Sequence, residues 1–477
     1  MNTDEPAGVL YRAERRVLEI QTKLHRWASE NPRRQFKDLF NLVADPAFLL
    51  VAWDRVRSNK GARTAGVDRQ SAYGIETVQG VDVFLDKVRS QLKDRSFRPV
   101  PVRERMIPKA NGKQRRLGIP TVTDRVVQAS LKLVLEPIFE ADFLPCSYGF
   151  RPGRRAHDAI AETRMITSNT YEWVVEGDIT ACFDEISHSA LMDRVKNRIG
   201  DKRVVELVKA FLKAGILSQD GAVRHNDTGT PQGGILSPVL ANVALSVLDE
   251  YAARHPGGPN VTHSVRTGRR RRGQANYRVV RYADDFLVLV AGTRDHAESM
   301  KAEVADVLSS MGLRLSEEKT RITHIDEGFD FLGWRIQRHR KKGTHKQYVY
   351  TYPAKKSLAS AMTKVKTICR RMDLKQPLDA LLRQLNPMLR GWCEYFRPGV
   401  SSATFGYLSD YVWKRVLRWL YRKHARFTWK HYRRRYCAGG TWPVSDRRTL
   451  FDPGKVSTTR YRYRGAAIPN PWRVVTS

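Results

Sequence analysis

The sequence predicts a mixed α/β fold, in which antiparallel strand hairpins and helices are followed by a long helical region. Three observations support this prediction. The 477 residues, 41% of them hydrophobic, suffice for several cores. Short segments of alternating apolar residues around tight turns are typical of strands, and the amphipathic segments between them are typical of helices. Residues 331–477 hold 33 Lys and Arg against 6 Asp and Glu and are rich in Trp and Tyr.

The elements follow in chain order from these patterns. The first half is predicted to contain helices at 8–57, 82–94, 123–140 and 154–168, a strand at 97–109 with a hairpin turn at Asn111-Gly112, and a strand at 171–179. The second half is predicted to contain helices at 188–214 and 236–254, an exposed basic loop at 262–274, a hairpin at 277–290 and a basic, aromatic helix at 413–436.

The charge balance indicates a polyanionic partner. The chain has 84 Lys and Arg, 49 Asp and Glu, and a formal net charge of +35. Residues 413–436 contain no acidic residue, whereas a solvated helix face usually mixes both signs. We therefore expect nucleic acid to bind there, with cations on phosphates and most of the aromatic side chains in the core.

Other classes of protein are disfavoured. No run of about eighteen apolar residues is present and the N-terminus has no signal-peptide pattern, so we expect no membrane contact and a cytoplasmic protein. The five cysteines form no C-x-x-C pair. They are predicted to be reduced core thiols rather than zinc ligands.

Candidate chemistry is concentrated in the hairpin at 277–290. Asp284 and Asp285 are adjacent at its turn, and Asp178 ends the apolar strand at 171–179. If the two segments share one antiparallel sheet, the three carboxylates converge, and a divalent cation would relieve their repulsion. Such a cluster suits two-metal phosphoryl transfer. Taken alone, Asp-Asp at a hairpin tip is also ordinary turn chemistry.

Longer motifs favour the catalytic interpretation. Tyr282-Ala283-Asp284-Asp285 resembles the Y-x-D-D box of reverse transcriptases, and GDITACFDEISH (177–188) and GTPQGGILSPVLANVAL (229–245) resemble other polymerase blocks of that family. IPKANGKQRRLGIPTVTDRVVQ, SYGFRPGRRAHDAI, GLRLSEEKT, FDFLGWRI and LNPMLRGWCEYFR are similar to blocks of the proteins encoded by group II introns. The chain thus resembles the group II intron reverse transcriptase/maturase family from about residue 41 to about residue 437.

The resemblance implies a right-hand polymerase fold. It implies an N-terminal extension and fingers at 1–170, a palm at 171–345 with interleaved fingers elements, and a helical thumb or maturase domain at 346–436. A basic tail at 437–477 would follow, with DNA binding as its possible role. Many relatives end in a zinc-supported endonuclease with paired cysteines and histidines. This sequence shows no such motif, so we expect no second-strand cleavage.

The resemblance also assigns the metal site and the nucleotide site. Asp178, Asp284 and Asp285 would hold two Mg²⁺ ions, with Mn²⁺ able to substitute, and Asp178 and Asp284 would be the direct ligands. Each remaining assignment has a structural alternative. Phe183 would be a steric gate that excludes a 2′-hydroxyl, or else a core residue, and Lys109 and Arg115 would bind the triphosphate, or else form a solvated hairpin tip. Gln232 would lie beside the nucleotide, or else form part of a turn, and Lys319 would be a general acid, or else an exposed structural lysine.

RNA contacts are expected outside this centre. Arg151 is predicted to touch the template, and the cations of the 413–436 helix to bind RNA; these are Lys414, Arg415, Arg418, Arg422 and Lys423. The expected function is RNA-directed DNA synthesis from a primer with dNTPs, together with intron RNA binding that assists splicing and retrohoming on a DNA target. The resemblance also implies a bacterial protein associated with the nucleoid or with ribonucleoprotein. The alternatives are a splicing cofactor without polymerase activity, a host-recruited reverse transcriptase in repair or defence, and an RNA-copying RNA polymerase.

Overall fold

The computed structural model describes residues 6–108, 112, 114–218, 222–224, 228–230, 233–341 and 343–473. Lys109 and Gln232 lie outside the described residues. The helices are α1 (Pro6–Glu30), α2 (Phe40–Val43), α3 (Pro46–Ser58), α4 (Ala72–Gly74), α5 (Val81–Lys93), α6 (Val122–Glu140), α7 (Ala156–Thr167), α8 (Cys182–Glu185), α9 (His188–Arg198), α10 (Lys202–Lys213), α11 (Ser237–Arg254), α12 (His263–Arg271), α13 (Arg294–Ser309), α14 (Lys355–Arg371), α15 (Leu378–Phe396), α16 (Ser402–Lys423) and α17 (Trp429–Tyr436).

The strands form three sheets. The strands are β1 (Val102–Pro108), β2 (Gln114–Ile119), β3 (Trp173–Gly177), β4 (Ile216–Leu217), β5 (Val223–Arg224), β6 (Asn276–Tyr282), β7 (Asp285–Ala291), β8 (Arg321–His324), β9 (Phe329–Phe331), β10 (Trp334–Arg340) and β11 (Gln347–Pro353). Their orders are β2-β1-β4-β5, β6-β7-β3-β8 and β11-β10-β9. The β1–β2, β6–β7 and β10–β11 pairs are antiparallel hairpins.

The chain divides into two compact units by its internal contacts. The first comprises residues 1–155, 175–322 and 466–477, and the second comprises 156–174 and 323–465. This grouping differs from the four segments expected from the sequence, because contacts rather than chain order define it. Residues 437–465 belong to the second unit, where Arg448 pairs with Asp379 and Leu450 is buried. The fingers, palm and thumb boundaries remain predictions.

Capping residues divide two of the long predicted helices. The helix predicted at 8–57 is three helices, and Asp45 starts α3 by accepting the amide of Ala47. The helix predicted at 188–214 is α9 and α10, with Asp201 between them. The Asp201 carboxylate accepts the amides of Leu39 and Phe40, each at 2.9 Å, and that of Arg203 at 3.0 Å. A carboxylate that satisfies free amides at a helix start stabilises the boundary.

Two further sequence predictions are wrong in detail. The expected basic loop at 262–274 contains helix α12, because Thr262 accepts the amide of Val265 as an N-cap, and the helix has no buried residue. The expected single helix at 413–436 is interrupted after Lys423. The second piece, α17, begins with a capping box between Thr428 and His431. The apolar pattern could not indicate these boundaries, since capping hydrogen bonds decide them.

The helices of the second unit enclose an apolar core. Leu381, Leu385 and Leu389 of α15 are fully buried there with Val412 and Val416 of α16. In the described part of the chain, no helix is long and apolar enough to cross a membrane.

Candidate functional site

Asp284 and Asp285 lie at the turn between β6 and β7. Tyr282 pairs with Asp285 in the β6–β7 register, so Ala283 and Asp284 alone form the connection. Ala283 has a φ of 58°, in the left-handed region that an alanine rarely adopts. Such a backbone is retained where the surrounding structure fixes it. The turn therefore needs support from neighbouring residues.

Buried polar groups supply that support from beneath the turn. Arg281 and Asp249 have no exposed side-chain surface. Arg281 donates from Nε to Asp249 Oδ1 at 2.9 Å, and from Nη1 to Asn242 Oδ1 at 2.9 Å and to the Ala283 carbonyl at 3.1 Å. Burial opposes the charge of Arg281, but Asp249 holds its pKa above the usual value. Arg281 thus ties the aspartate turn to helix α11.

The segment after Cys146 also supports the turn. Asn242 donates to the Gly149 carbonyl at 2.8 Å, and a Cβ on Gly149 would lie 2.3 Å from the amide nitrogen of Ala283. Only glycine permits this approach. The segment therefore contacts the aspartate turn directly.

The expectation of a template contact through Arg151 is contradicted by its surroundings. Its side chain is 3% exposed and pairs with Glu140 at 2.7 Å. It also donates to the carbonyls of Leu144, Ser147 and Phe143. A guanidinium with its donors satisfied inside the protein cannot also reach a phosphate. Arg151 holds its loop in place.

Asp178 follows β3, the strand next to β7 in the sheet. A Cβ on Gly177 would lie 2.1 Å from the ring of Phe286, which explains a glycine at this position. The ring thus brings the backbone before Asp178 against the residue that follows Asp285. The three aspartates therefore lie at one end of the sheet, where the inner strand β3 ends and the neighbouring strand β7 begins.

Backbone hydrogen bonds hold the segment before Lys319 beside Asp178. The amide of Ser316 donates to the Asp178 carbonyl at 2.8 Å, and that of Thr180 donates to the Arg314 carbonyl at 2.9 Å. Lys319 Nζ then lies 2.9 Å from Asp178 Oδ2, and its side chain is 60% exposed. The hydrogen bond to Asp178 raises the pKa of Lys319. The lysine is a protonated donor beside the aspartates.

The aspartates repel one another. The pKa of Asp285 is raised to about 6 by loss of hydration and by the charges of Asp284 and Asp178, while Lys319 lowers it. Because Asp285 is exposed, we attribute the effect mainly to the charges. Among the described residues, no three His, Cys, Asp or Glu side chains form a metal cage. Mg²⁺ commonly binds one or two carboxylates together with substrate phosphates, so the oxygen ligands and their repulsion fit that ion.

Phe183 lies beside the loop that leads to Gln232. The amides of Thr230 and Gly229 donate to the carbonyls of Phe183 and Ile186, at 2.5 and 2.8 Å. Phe183 is half-buried in α8. Burial and then the charge of Asp284 raise the pKa of the neighbouring Cys182 to about 12, so α8 lies within electrostatic reach of Asp284.

Arg115, the predicted triphosphate cation that the structure describes, belongs to the β1–β2 hairpin. Arg115 is exposed on β2, opposite Ile107 in the register. A Cβ on Gly233 would lie 2.6 Å from the Gly118 carbonyl, so β2 runs close to the residue after Gln232.

The cations predicted on α16 differ in their surroundings. Arg418 and Arg422 are exposed and, within the described residues, form no ion pair. Lys414 is exposed and lies 2.8 Å from Asp410, and Arg415 lies over the Tyr411 ring at 5.0 Å. Lys423 instead donates to the carbonyls of Leu374 and Gln376. Lys423 holds a helix connection, so its assignment as an RNA contact loses support.

The sequence interpretation missed Arg281, Asp249 and Asn242. A signal was present for Asn242, which lies in the largely apolar segment 239–248, and Asp249 directly follows that segment. Arg281 follows the apolar pair Val279 and Val280, in a strand that holds a second arginine. Buried polar residues of this kind need partners, which makes them candidates for a shared network.

Comparison with known proteins agrees with this arrangement. Residues 107–336 match the reverse transcriptase (RNA-dependent DNA polymerase) family, and residues 358–437 match the group II intron maturase-specific domain. The chain is 36% identical over 359 residues to protein YkfC of Escherichia coli, which covers 72% of this chain and 93% of YkfC.

Relatives named for introns are also found. Group II intron-encoded protein LtrA of Lactococcus lactis is 32% identical over 413 residues, 77% of this chain and 66% of LtrA. Nuclear intron maturase 1 of Arabidopsis thaliana is 27% identical over 304 residues, 47% of this chain and 42% of that protein. The chain therefore spans just under two thirds of LtrA and less than half of the plant protein. The fold is that of a reverse transcriptase with a helical C-terminal region, and the chain belongs to the group II intron reverse transcriptase/maturase family.

Proposed function

We propose that this protein is an RNA-directed DNA polymerase that extends a primer 3′-hydroxyl with dNTPs. The observation that carries the proposal is the set of three aspartates at the neighbouring ends of strands β3 and β7, with a buried ion pair supporting the turn of Asp284. A protein that only binds RNA gains nothing from clustered acids that repel one another.

Each side chain has a role that its position supports. Asp178 and Asp284 would hold the magnesium ions, which when bound would activate the primer hydroxyl and neutralise the leaving group. Lys319, a protonated amine 2.9 Å from Asp178, would give a proton to the departing pyrophosphate. Arg115 and Lys109 would pair with the triphosphate.

Sugar and base selection would come from the loop beside α8. Phe183, fixed through its carbonyl to the amide of Thr230, would exclude a 2′-hydroxyl, and Gln232 would lie against the incoming nucleotide. An RNA-copying RNA polymerase would not need such an exclusion.

A maturase role is the second candidate. The match of residues 358–437 to the maturase-specific domain and the exposed Arg418 and Arg422 of α16 favour it. We propose that this region binds intron RNA by its phosphates and assists splicing and retrohoming. Both roles can reside in one chain, because the aspartates and the α16 cations are different residues.

Primer extension tests the polymerase proposal. Purified protein is incubated with an annealed RNA template and DNA primer, dNTPs and Mg²⁺, in parallel with Asp284→Asn. We expect extension by the parent and none by the variant. No extension by the parent on several templates would refute polymerisation and favour the maturase role alone.

A further inference from the structure

A large groove lies in the second unit, formed by the end of α7, strand β11 and the extended segment 460–463. Its volume is about 1110 Å³. Pockets for small ligands are typically about 300 to 1,000 Å³, so this groove is larger than one small ligand requires. None of the residues assigned above to catalysis or RNA binding lines it.

The segment Arg460-Tyr461-Arg462-Tyr463-Arg464 is fixed to one face of α7. The Tyr461 hydroxyl donates to Asp158 at 2.8 Å, and the Tyr463 hydroxyl donates to Glu162 at 3.1 Å. Asp158 and Glu162 are four residues apart, so they lie on the same helix face. In an extended chain, alternate side chains point in opposite directions. The two tyrosines thus anchor the segment, Arg464 adds an ion pair to Asp158, and Arg460 and Arg462 are exposed.

Positive charge accumulates in the groove. Arg460 and Arg462 are exposed and Arg164 is half-buried. Within the described residues these three arginines form no ion pair and no carboxylate lines the groove, whereas Arg338 is balanced by Asp326 and Glu172. Burial, and then the charge of Arg460, lower the pKa of Arg164. An anion between these two arginines would relieve their repulsion.

Flat and polar side chains complete the lining. Tyr348 is 45% exposed and offers a ring on which a base can stack. Met165, also 45% exposed, adds an apolar surface beside it in the groove lining. Ser168 donates its hydroxyl hydrogen to the Arg164 carbonyl, which leaves the hydroxyl oxygen able to accept a hydrogen bond. Exposed Asn169 adjoins it. Such acceptors suit a ribose 2′-hydroxyl.

We propose that this groove binds single-stranded RNA, with Arg164, Arg460 and Arg462 on phosphates and Tyr348 on a base. The proposal goes beyond the polymerase function, because it assigns RNA to a surface outside the aspartate site and outside α16. An acidic protein segment would satisfy the charge but would not require the tyrosine surface or the acceptors at the end of α7.

The test uses full-length protein and a 12-nucleotide single-stranded RNA carrying 4-thiouridine, without dNTPs. We compare the parent, R460A/R462A, and the control R447A/K455A, which removes two exposed cations of the same unit from outside the groove. We expect R460A/R462A to weaken binding by about tenfold and to reduce the slope of log K against log salt by about 1.4, the value for two phosphate contacts. The control should change neither quantity appreciably.

Crosslinking of the RNA to the parent protein gives a second measurement, which does not depend on any substitution. Crosslinked peptides should include residues 460–463 or Tyr348. Unchanged affinity and slope in R460A/R462A, or crosslinks confined to other peptides, would overturn the proposal. Equal binding of the DNA version of the oligonucleotide would overturn the assignment to RNA. Because the assay contains no dNTPs, a failure here is distinguishable from a failure of polymerisation.

Discussion

Arginines have different surroundings in the two units. All four buried arginines of the described residues, Arg125, Arg151, Arg198 and Arg281, lie in the first unit. Each donates to backbone carbonyls or to a buried carboxylate, as Arg125 does to the carbonyls of Pro120, Gly61 and Thr64. In the second unit no described Lys or Arg is buried, and Arg418, Arg422, Arg460 and Arg462 are exposed.

A count of positive charges therefore does not distinguish arginines that stabilise the fold from arginines that are free to bind a partner. Buried guanidinium groups of the first unit hold loops in place, because their fixed donors satisfy several carbonyls at once. Among them, Arg281 does so at the aspartate turn. Exposed cations of the second unit remain available for phosphates. Burial, which composition does not reveal, separates the two.

The largest expected loss of stability follows from breaking the Arg281–Asp249 ion pair. Replacing Arg281 with Leu leaves Asp249 buried without its partner, and we expect the free energy of unfolding to fall by about 3 to 5 kcal/mol. Arg422→Leu, at an exposed position of the second unit, should change it by less than about 0.5 kcal/mol. Chemical denaturation measures both.

The double variant R281L/D249L sharpens this result. Removing both charges should restore part of the lost stability, because no unpaired charge remains. Equal losses for Arg281→Leu and Arg422→Leu would show that burial does not distinguish the two groups of arginines.

The buried Asp124 provides a comparison with the buried arginines, because its charged form is expected to lower the free energy of unfolding. It is 3% exposed, accepts the Thr121 hydroxyl at 2.7 Å, and burial raises its pKa from 3.8 to about 6. Its folded-state pKa lies above the unfolded value, so the protonated group stabilises the fold below about pH 4, and this contribution is lost as the pH rises through 6.

We therefore expect the stability difference between parent and Asp124→Asn to vary by at most about 3 kcal/mol between pH 4 and 7, with the parent relatively more stable at low pH. Denaturation at several pH values measures this. A difference that is constant across this range would contradict a raised pKa.

Phe183 tests whether a half-buried side chain of the first unit acts on substrate. Phe183→Ala should reduce the preference for dNTP over NTP by about 10- to 200-fold, the range for one steric contact in a pocket. The ratio of kcat/KM for the two nucleotides measures it. Unchanged selectivity with reduced stability would indicate that Phe183 only packs α8.

The smallest expected effect on stability concerns α16. Replacing Lys414, Arg418 and Arg422 with Ala should leave the unfolding free energy nearly unchanged, since all three are exposed. The slope of log K against log salt for duplex binding should fall by up to about 2.7, or about 0.9 for each phosphate that the protein no longer neutralises. Salt titrations of RNA affinity measure this, and an unaltered slope would exclude the helix from the binding surface.

Much of the fold was predictable from local patterns. The hairpin of β6 and β7, strand β3 and helices α6 and α11 agree with the sequence within about two residues, because periodicity and turn residues specify them locally. Helix ends at Lys423 and around Asp201 were not predictable, since long-range or capping hydrogen bonds set them. The chain also folds residues 437–465 into the second unit through contacts that no linear pattern records.

The site was predictable where a motif carries the chemistry. The aspartates on adjacent strands agree with the expected sheet, and their roles remain predictions. Arg151 shows where prediction from the sequence fails. Its aromatic and glycine neighbours in the sequence indicate an RNA contact, but in the fold it pairs with Glu140, eleven residues earlier. Partners brought together by tertiary structure decide what a charged residue can contact.

The central claim is that the aspartates of the first unit perform synthesis while exposed cations of the second unit bind RNA. One paired measurement tests it most directly, namely affinity and single-turnover extension on the same RNA template and DNA primer for the parent, Asp284→Asn and the α16 triple variant. We predict that Asp284→Asn keeps the parent affinity and loses extension by about 1,000-fold or more, while the triple variant loses affinity. Extension by Asp284→Asn, or parent affinity in the triple variant, would contradict the account.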